Sequence, residues 1–177
     1  MAHHEANRWV TCPGCGASFD AIEGPVHRYM ESTPGCWAAF GRVLEREYSD
    51  TRYFGVHRLT VDTYAVQHPG RPSAQSIQSV GVHLIRLHLF VEQGLSAQRA
   101  NDAMLVAARF KKSFVWLDPP PRFALTVTDV EAAATPQQHQ QAVRDWAQSA
   151  WAAWSAHHGT VRRWATQSGA VASSRAR

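Results

Sequence analysis

Residues 76–93, which read SIQSVGVHLIRLHLFVEQ, form the most apolar stretch of the chain. Apolar residues recur there every three or four positions, at Ile77, Val80, Leu84, Leu87 and Val91. This spacing is typical of one face of an α-helix. Further apolar residues lie on its other faces, namely Val82, Ile85, Leu89 and Phe90. Because a helix that is apolar nearly all round is usually buried, the stretch predicts the central helix of a bundle.

Helical periodicity also marks the segments on either side of this stretch. Before it, the pattern predicts helices from Cys36 to about Ser49 and from about Thr51 to Gln67. After it, helices are expected at about 97–110, from Thr128 for a short distance, and from Thr135 to about Thr166. No segment alternates convincingly between apolar and polar residues as a β-strand does. The expected fold class is therefore all-α, a helical bundle with an N-terminal, loop-rich, zinc-binding cap.

The chain of 177 residues is long enough for one domain, within which three parts are expected. Residues 1–35 are rich in Pro and Gly and form a loop-rich cap that contains cysteine. Residues 36–166 form the helical bundle, which makes one compact domain with the cap. Residues 167–177 are rich in Ser, Ala and Arg and are expected to be a flexible tail.

Composition excludes several classes of protein. The net charge of +4 is not the dense Lys/Arg stripe of a nucleic-acid-binding protein, and no strong nucleic-acid signal is present. No stretch approaches the roughly 20 apolar residues that cross a bilayer, so no membrane association is expected. The N-terminus has no apolar core of a secretory signal, and three cysteines do not suggest a disulfide framework. We therefore expect a cytoplasmic protein, of an oligomeric state that composition does not indicate.

The motif Cys12-Pro13-Gly14-Cys15-Gly16 is the most specific signal for chemistry. Two thiolates separated by two residues can bind one tetrahedral ion, and the Pro-Gly turn lets backbone N–H groups point at sulfur. Cys36 is the only other thiol, and His27 lies between the two elements. The spacing predicts a structural zinc site made by Cys12, Cys15, His27 and Cys36.

Two alternatives to this ligand set remain open. His57, His68 or His83 could replace His27 as the fourth ligand from a helix. His68 could instead interact with the dipole at the end of its helix. Cys12 and Cys15 could also form a redox-active thiol pair, with Cys36 as an inert core thiol, although no βαβ pattern follows the motif.

Other histidines suggest a second site with an open position for catalysis. If His57, His83 and one of His157 or His158 converge, three helices offer three imidazoles to a second divalent metal, as in catalytic zinc sites. We choose His158 for this set. Asp62 could act there as a ligand, an orienting carboxylate or a general base, or could simply pair with Arg58 on the surface. His3, His4 and His139 are expected to be exposed.

Several motifs together resemble a bacterial family of unknown function, composed of small helical proteins rich in His and Trp. The matching stretches are Cys12–Gly16, Pro34–Trp37, Glu45–Asp50, His57–Asp62, Val66–Pro72, Ser76–Val80 and Trp154–His158. They extend over nearly the whole chain, so the resemblance implies a complete single-domain protein. It implies no activity.

A weaker resemblance links the chain to DinB-type helical bundles, which hold a divalent metal with histidines from separate helices. The similarity lies in the His157-His158 pair on a late helix. The pair departs from the spaced histidines of that family, because adjacent residues lie about 100° apart on a helix and only one can easily serve.

We hypothesise a small zinc-binding helical protein. On this hypothesis, it is a metal-dependent enzyme that acts on a small molecule at a histidine-lined pocket. The residues assigned to that pocket are His57, Asp62, His83 and His158. The alternative is a non-enzymatic binding or regulatory module whose zinc is purely structural. A thiol redox sensor is a third hypothesis.

Overall fold

Eight α-helices and one β-hairpin make up the part of the chain that the computed structural model describes, residues 9–167. The helices are α1 Pro34–Ser49, α2 Thr51–Phe54, α3 His57–Gln67, α4 Ala74–Val91, α5 Ala97–Ala107, α6 Val127–Glu131, α7 Pro136–Ala153 and α8 His158–Gln167. Short 3-10 turns span Ala108–Ser113 and Ser155–His157. The predictions for His3 and His4, and all of the predicted tail except residue 167, lie outside the described residues.

Helix α4 lies at the centre of the bundle, as its sequence predicts. It packs against α3, α5, α7 and α8. Leu84, Ile85 and Leu87 on different sides of it are fully buried. Gly81 allows a close approach, since a Cβ there would overlap the ring of Phe114. Contact with four helices explains why apolar residues extend around most of α4, whereas Gln75, Gln78 and Ser79 lie on a more exposed side of its N-terminal half.

The N-terminal segment contains a β-hairpin that the all-α prediction omits. Strand β1, Trp9–Thr11, pairs antiparallel with β2, Ser18–Asp20, and Val10 lies opposite Phe19. Each strand has three residues, which is too short to produce an alternation that can be recognised in a sequence. The fold is therefore mostly helical, with one small two-stranded sheet at its N-terminal end.

Two helices that the sequence predicts as continuous are each divided in the structure. The segment from Thr51 is divided between α2 and α3 at Gly55 and Val56. The long C-terminal helix is divided at Trp154, whose buried indole Nε1 donates to the carbonyl of Val66, 3.2 Å away. Within residues 9–167, no helix is long and apolar enough to cross a membrane.

Candidate metal centre

The turn of the β-hairpin brings the first two cysteines together. We call residues 12–17 the thiol loop. Its backbone is closed by hydrogen bonds from Cys12 N to Ala17 O, 2.8 Å, and from Gly16 N to Cys12 O, 2.9 Å. Gly16 adopts a φ of +81°, which a residue with a side chain rarely tolerates. The sulfur atoms of Cys12 and Cys15 consequently face the protein interior, and both residues are buried.

The first turn of α1 supplies the third thiol. Thr33 is the N-cap of α1, and its hydroxyl accepts a hydrogen bond from the backbone N–H of Cys36. Cys36 has no exposed surface, and its Sγ lies 3.8 Å from Sγ of Cys15. The three thiols are close together, but none forms a disulfide.

His68, directly after α3, completes the group. Its Nδ1 donates to the backbone carbonyl of Tyr64, 2.7 Å away, so the lone pair resides on Nε2. That Nε2 lies 3.3 Å from Sγ of Cys36 and 3.5 Å from Sγ of Cys12. The ring also stacks on the ring of Tyr64, with centroids 3.9 Å apart. This orientation, fixed by a backbone carbonyl, is the usual arrangement of a metal-binding histidine.

Gly14 allows the thiol loop to approach the end of α3. A Cβ at this position would overlap the His68 ring and would lie 2.7 Å from the carbonyl oxygen of Glu31 and 2.8 Å from that of Gln67. Distances below 3.0 Å require atoms to shift, and two of these neighbours are backbone. The glycine within the Cys-x-x-Cys motif is therefore required by the contact with His68 and its helix.

The electrostatics of the three thiols favour a bound cation. Contact with Cys12, together with burial, raises the pKa of Cys15 to about 12. Its neighbours Cys12 and Cys15 likewise raise the pKa of Cys36, whereas hydrogen bonds from Cys15 and Cys36 lower the pKa of Cys12. The first thiolate therefore suppresses ionisation of the other two. A divalent cation would remove that penalty by neutralising the adjacent negative charges.

Two polar groups outside the cluster can stabilise sulfur-centred charge. The backbone N–H of Ala17 donates to the sulfur of Cys15. The hydroxyl of Tyr64 lies 3.5 Å from Sγ of Cys36, and burial raises the pKa of this phenol, which keeps it protonated and able to donate. Such hydrogen bonds are common around thiolates that bind metals.

Cys12, Cys15, Cys36 and His68 thus form a buried Cys3His group that is arranged to hold a metal ion. Their four ligand atoms all lie within 4.8 Å of one another. Between residues 9 and 167, no other group of three or more His, Cys, Asp or Glu residues has this arrangement.

Comparison with known families agrees with the resemblance seen in the sequence. The model of a family of unknown function, DUF5946, matches residues 10–155. The chain belongs to DUF5946. The match spans the thiol loop, Cys36 and His68, so the whole Cys3His group of this DUF5946 chain lies inside it. Searches of curated proteins and of solved structures find no match. The resemblance to DinB-type bundles finds no support in these comparisons.

His27, the predicted fourth ligand, does not join the group. Its Nδ1 accepts a hydrogen bond from the backbone N–H of Tyr29, and its ring packs edge-on against Tyr29 and tilted against Trp37. Burial lowers the pKa of this imidazole. The prediction relied on position between the cysteines along the chain. The structure instead places His68 there, because the end of α3 lies against the thiol loop.

The histidines predicted to form a second metal site lie in separate polar clusters of this DUF5946 chain. His57 donates from Nδ1 to Glu47, 2.8 Å away, and its Nε2 lies 3.0 Å from the hydroxyl of Tyr48. His83 donates from Nδ1 to Asp62, 2.7 Å away. Each imidazole has its own carboxylate partner, and among the described residues the structure does not bring His57, His83 and His158 together.

His158, the third member of the predicted site, stabilises the end of a helix. Its Nε2 donates to the carbonyl of Trp151, 2.8 Å away, and its ring stacks on the indole of Trp151 at 3.8 Å. This hydrogen bond satisfies a carbonyl in the last turn of α7. On its other side, Nδ1 lies 3.7 Å from Glu92, whose pKa is lowered to about 2, chiefly by hydrogen bonds from Arg162.

Asp62 is buried and does not pair with Arg58. Its Oδ1 accepts from His83 and from Arg86, each at 2.7 Å. Arg58 bonds Asn101 instead. Of the roles that the sequence leaves open for Asp62, the observed contacts match that of a carboxylate that orients an imidazole.

No sequence pattern indicates a further buried polar cluster, which is centred on Glu47. Glu47 is fully buried in α1 and accepts hydrogen bonds from His57, from the hydroxyl of Thr60 and from Nε2 of His139. His139 was expected to be exposed but is fully buried in α7. A carboxylate in the polar run Glu45–Tyr48 carries no local sign of burial, so only the packing of α1, α3 and α7 reveals it.

Proposed function

We propose that this protein binds one zinc ion through Cys12, Cys15, Cys36 and His68, and that the zinc is structural. The observation that supports this most directly is the geometry of the cluster. A zinc tetrahedron with ordinary bond lengths has S···S edges of about 3.8 Å and S···N edges of about 3.6 Å. The Cys15–Cys36 edge is 3.8 Å, and the two edges from sulfur to His68 are 3.3 and 3.5 Å.

The donor set supports zinc over harder cations. Three thiolates and one imidazole are soft or borderline ligands, which suit Zn²⁺ and do not suit Mg²⁺ or Ca²⁺. The ligands number four and all are at most 2% exposed, so no coordination position is left for substrate or water. Closed tetrahedral sites of this kind are structural in zinc proteins.

The role of the zinc is to join three separate segments of the chain. The thiol loop belongs to the hairpin, Cys36 to the start of α1 and His68 to the end of α3. The hairpin has only three residues in each strand and could not be stable alone. We infer that the metal attaches it to the bundle, which makes the protein a zinc-stabilised helical module. This role corresponds to the non-enzymatic alternative. Among residues 9–167, no second cluster of ligand residues is present that could hold a catalytic metal.

Metal content, measured by mass spectrometry on the purified chain, tests the proposal. We expect about one zinc per chain in the wild type, and little after dialysis in the variants Cys12→Ser and His68→Ala, because a three-ligand site binds zinc more weakly. His27→Ala is the matched control and should keep about one equivalent, since His27 lies outside the cluster.

Three outcomes would contradict the assignment. Absence of zinc from wild type expressed in zinc-supplemented medium would refute it. Loss of zinc in the His27→Ala variant would restore the ligand set predicted from sequence. Two equivalents in the wild type, only one of which is lost with Cys12→Ser, would establish a second metal site.

A further inference from the structure

A second polar site lies at a cavity of about 570 Å³ between the N-terminal half of α4 and the turn that follows α5. This volume is within the range of small-molecule sites. Its polar lining consists of Tyr29, Gln75, Gln78, Ser79, His83 and Lys111. None of these residues belongs to the Cys3His group, so a ligand could bind at this cavity independently of zinc.

His83 presents an oriented, unbonded nitrogen at this cavity. Its Nδ1 donates to Asp62, 2.7 Å away, so its lone pair is on Nε2. Asp62 is 1% exposed and also accepts from Arg86, whereas the His83 side chain is 14% exposed. Within the described chain, Nε2 has no hydrogen-bond partner. A carboxylate that fixes an imidazole in this way leaves the second nitrogen free to accept a proton or hydrogen bond.

The other polar groups of the cavity are also without partners. In residues 9–167 the side chains of Gln75, Gln78 and Ser79 form no hydrogen bond, and Lys111 forms neither a hydrogen bond nor an ion pair. Ser79 precedes His83 by one helical turn, on the same face of α4. Gln75 and Lys111 are exposed and Gln78 and Ser79 are half-buried, so all four side chains can reach a ligand at this concave surface.

Charge and shape narrow the class of ligand. Lys111 is the only Lys, Arg, Asp or Glu that lines the cavity, because the carboxylate of Asp62 lies beneath His83 and is paired with Arg86. The single ammonium group of Lys111 matches a ligand that carries one negative charge. Val82 and Met104 add apolar surface to the same cavity. The lining therefore complements a molecule with one negative group and an apolar body.

We propose that this cavity binds a small organic monocarboxylate. The carboxylate lies at Lys111 with the two glutamine amides as additional donors, and the apolar body packs against Val82 and Met104. A hydroxyl of the ligand donates to Nε2 of His83. Binding at this cavity requires no metal. Failure of this proposal would therefore not affect the proposed zinc site, and the reverse also holds.

The test uses benzoate and 3-hydroxybenzoate as probes on the full zinc-loaded chain. In NMR spectra of protein labelled with ¹⁵N-histidine, the His83 signal is identified by its loss in His83→Gln, where the amide can still donate to Asp62. We expect saturable shifts of this signal with both probes, and tighter binding of 3-hydroxybenzoate. By calorimetry, Lys111→Met should weaken benzoate binding by about fivefold.

Lys112→Met is the matched control, because Lys112 is adjacent in the same exposed turn but does not line the cavity. It should change benzoate affinity by less than about twofold. The proposal is overturned if benzoate produces no saturable shift of His83, or if the two lysine variants bind it equally. Equal affinity for the neutral analogue benzamide would also overturn it, since the charge would then play no part.

Discussion

Removal of the proposed zinc ion with a strong chelator should lower the melting temperature of this protein by about 10 °C. Structural zinc contributes folding free energy directly, because the site is assembled only in the folded chain. Loss of about 3 kcal/mol corresponds to about 6–12 °C for a chain of this size. Without the proposed ion, no positive charge holds the three thiolates together, and the hairpin keeps only its protein contacts with α1, such as that of Phe19 with Gly35. Thermal unfolding followed by circular dichroism measures the shift.

The variant Cys36→Ser should reproduce this loss and should respond no further to chelator. Zinc added back to the chelated wild type should restore its melting temperature, and magnesium should not, because it prefers oxygen ligands. A wild-type melting curve that chelation leaves unchanged, despite removal of the metal, would refute a stabilising role.

Replacement of the buried glutamate, Glu47→Ala, should destabilise the fold by about 3–5 kcal/mol. The change removes the shared acceptor of His57, Thr60 and His139 and leaves buried donors without a partner. Because these residues lie on α1, α3 and α7, the loss affects the contact of three helices. Urea unfolding at neutral pH gives the free energy directly.

Glu45→Ala on the same helix is the control, since Glu45 is exposed. It should change the free energy of unfolding by less than about 0.5 kcal/mol. If Glu47→Ala were no more destabilising than Glu45→Ala, the hydrogen-bond network around Glu47 would contribute nothing to stability.

Three of the four ligands could be predicted from the sequence, because their signal is local. Cys12 and Cys15 form a recognisable motif, and Cys36 is the only remaining thiol. The fourth ligand depends on which helix ends beside the thiol loop. His68 is 56 residues from Cys12, and its helix-end position predicts an interaction with the helix dipole equally well. Only the packed structure separates it from His27, which occupies a more plausible place along the chain.

The central position of α4 was predictable for the same reason, since apolar residues on several faces are typical of a buried helix. The second site was not predictable in the form expected. His57, His83 and His158 each have a plausible helix position, but their partners Glu47, Asp62 and Trp151 are chosen by tertiary packing. One part of the prediction agrees with the structure: Asp62 acts as a carboxylate that orients an imidazole, that of His83.

The most direct test of the proposed zinc site at the Cys3His group is X-ray absorption spectroscopy at the zinc edge of the purified protein. We predict about three sulfur atoms at about 2.3 Å and one nitrogen at about 2.0–2.1 Å, with the nitrogen contribution lost or replaced by oxygen in His68→Ala. A first shell of nitrogen and oxygen alone, or a spectrum that His68→Ala leaves unchanged, would contradict the assignment.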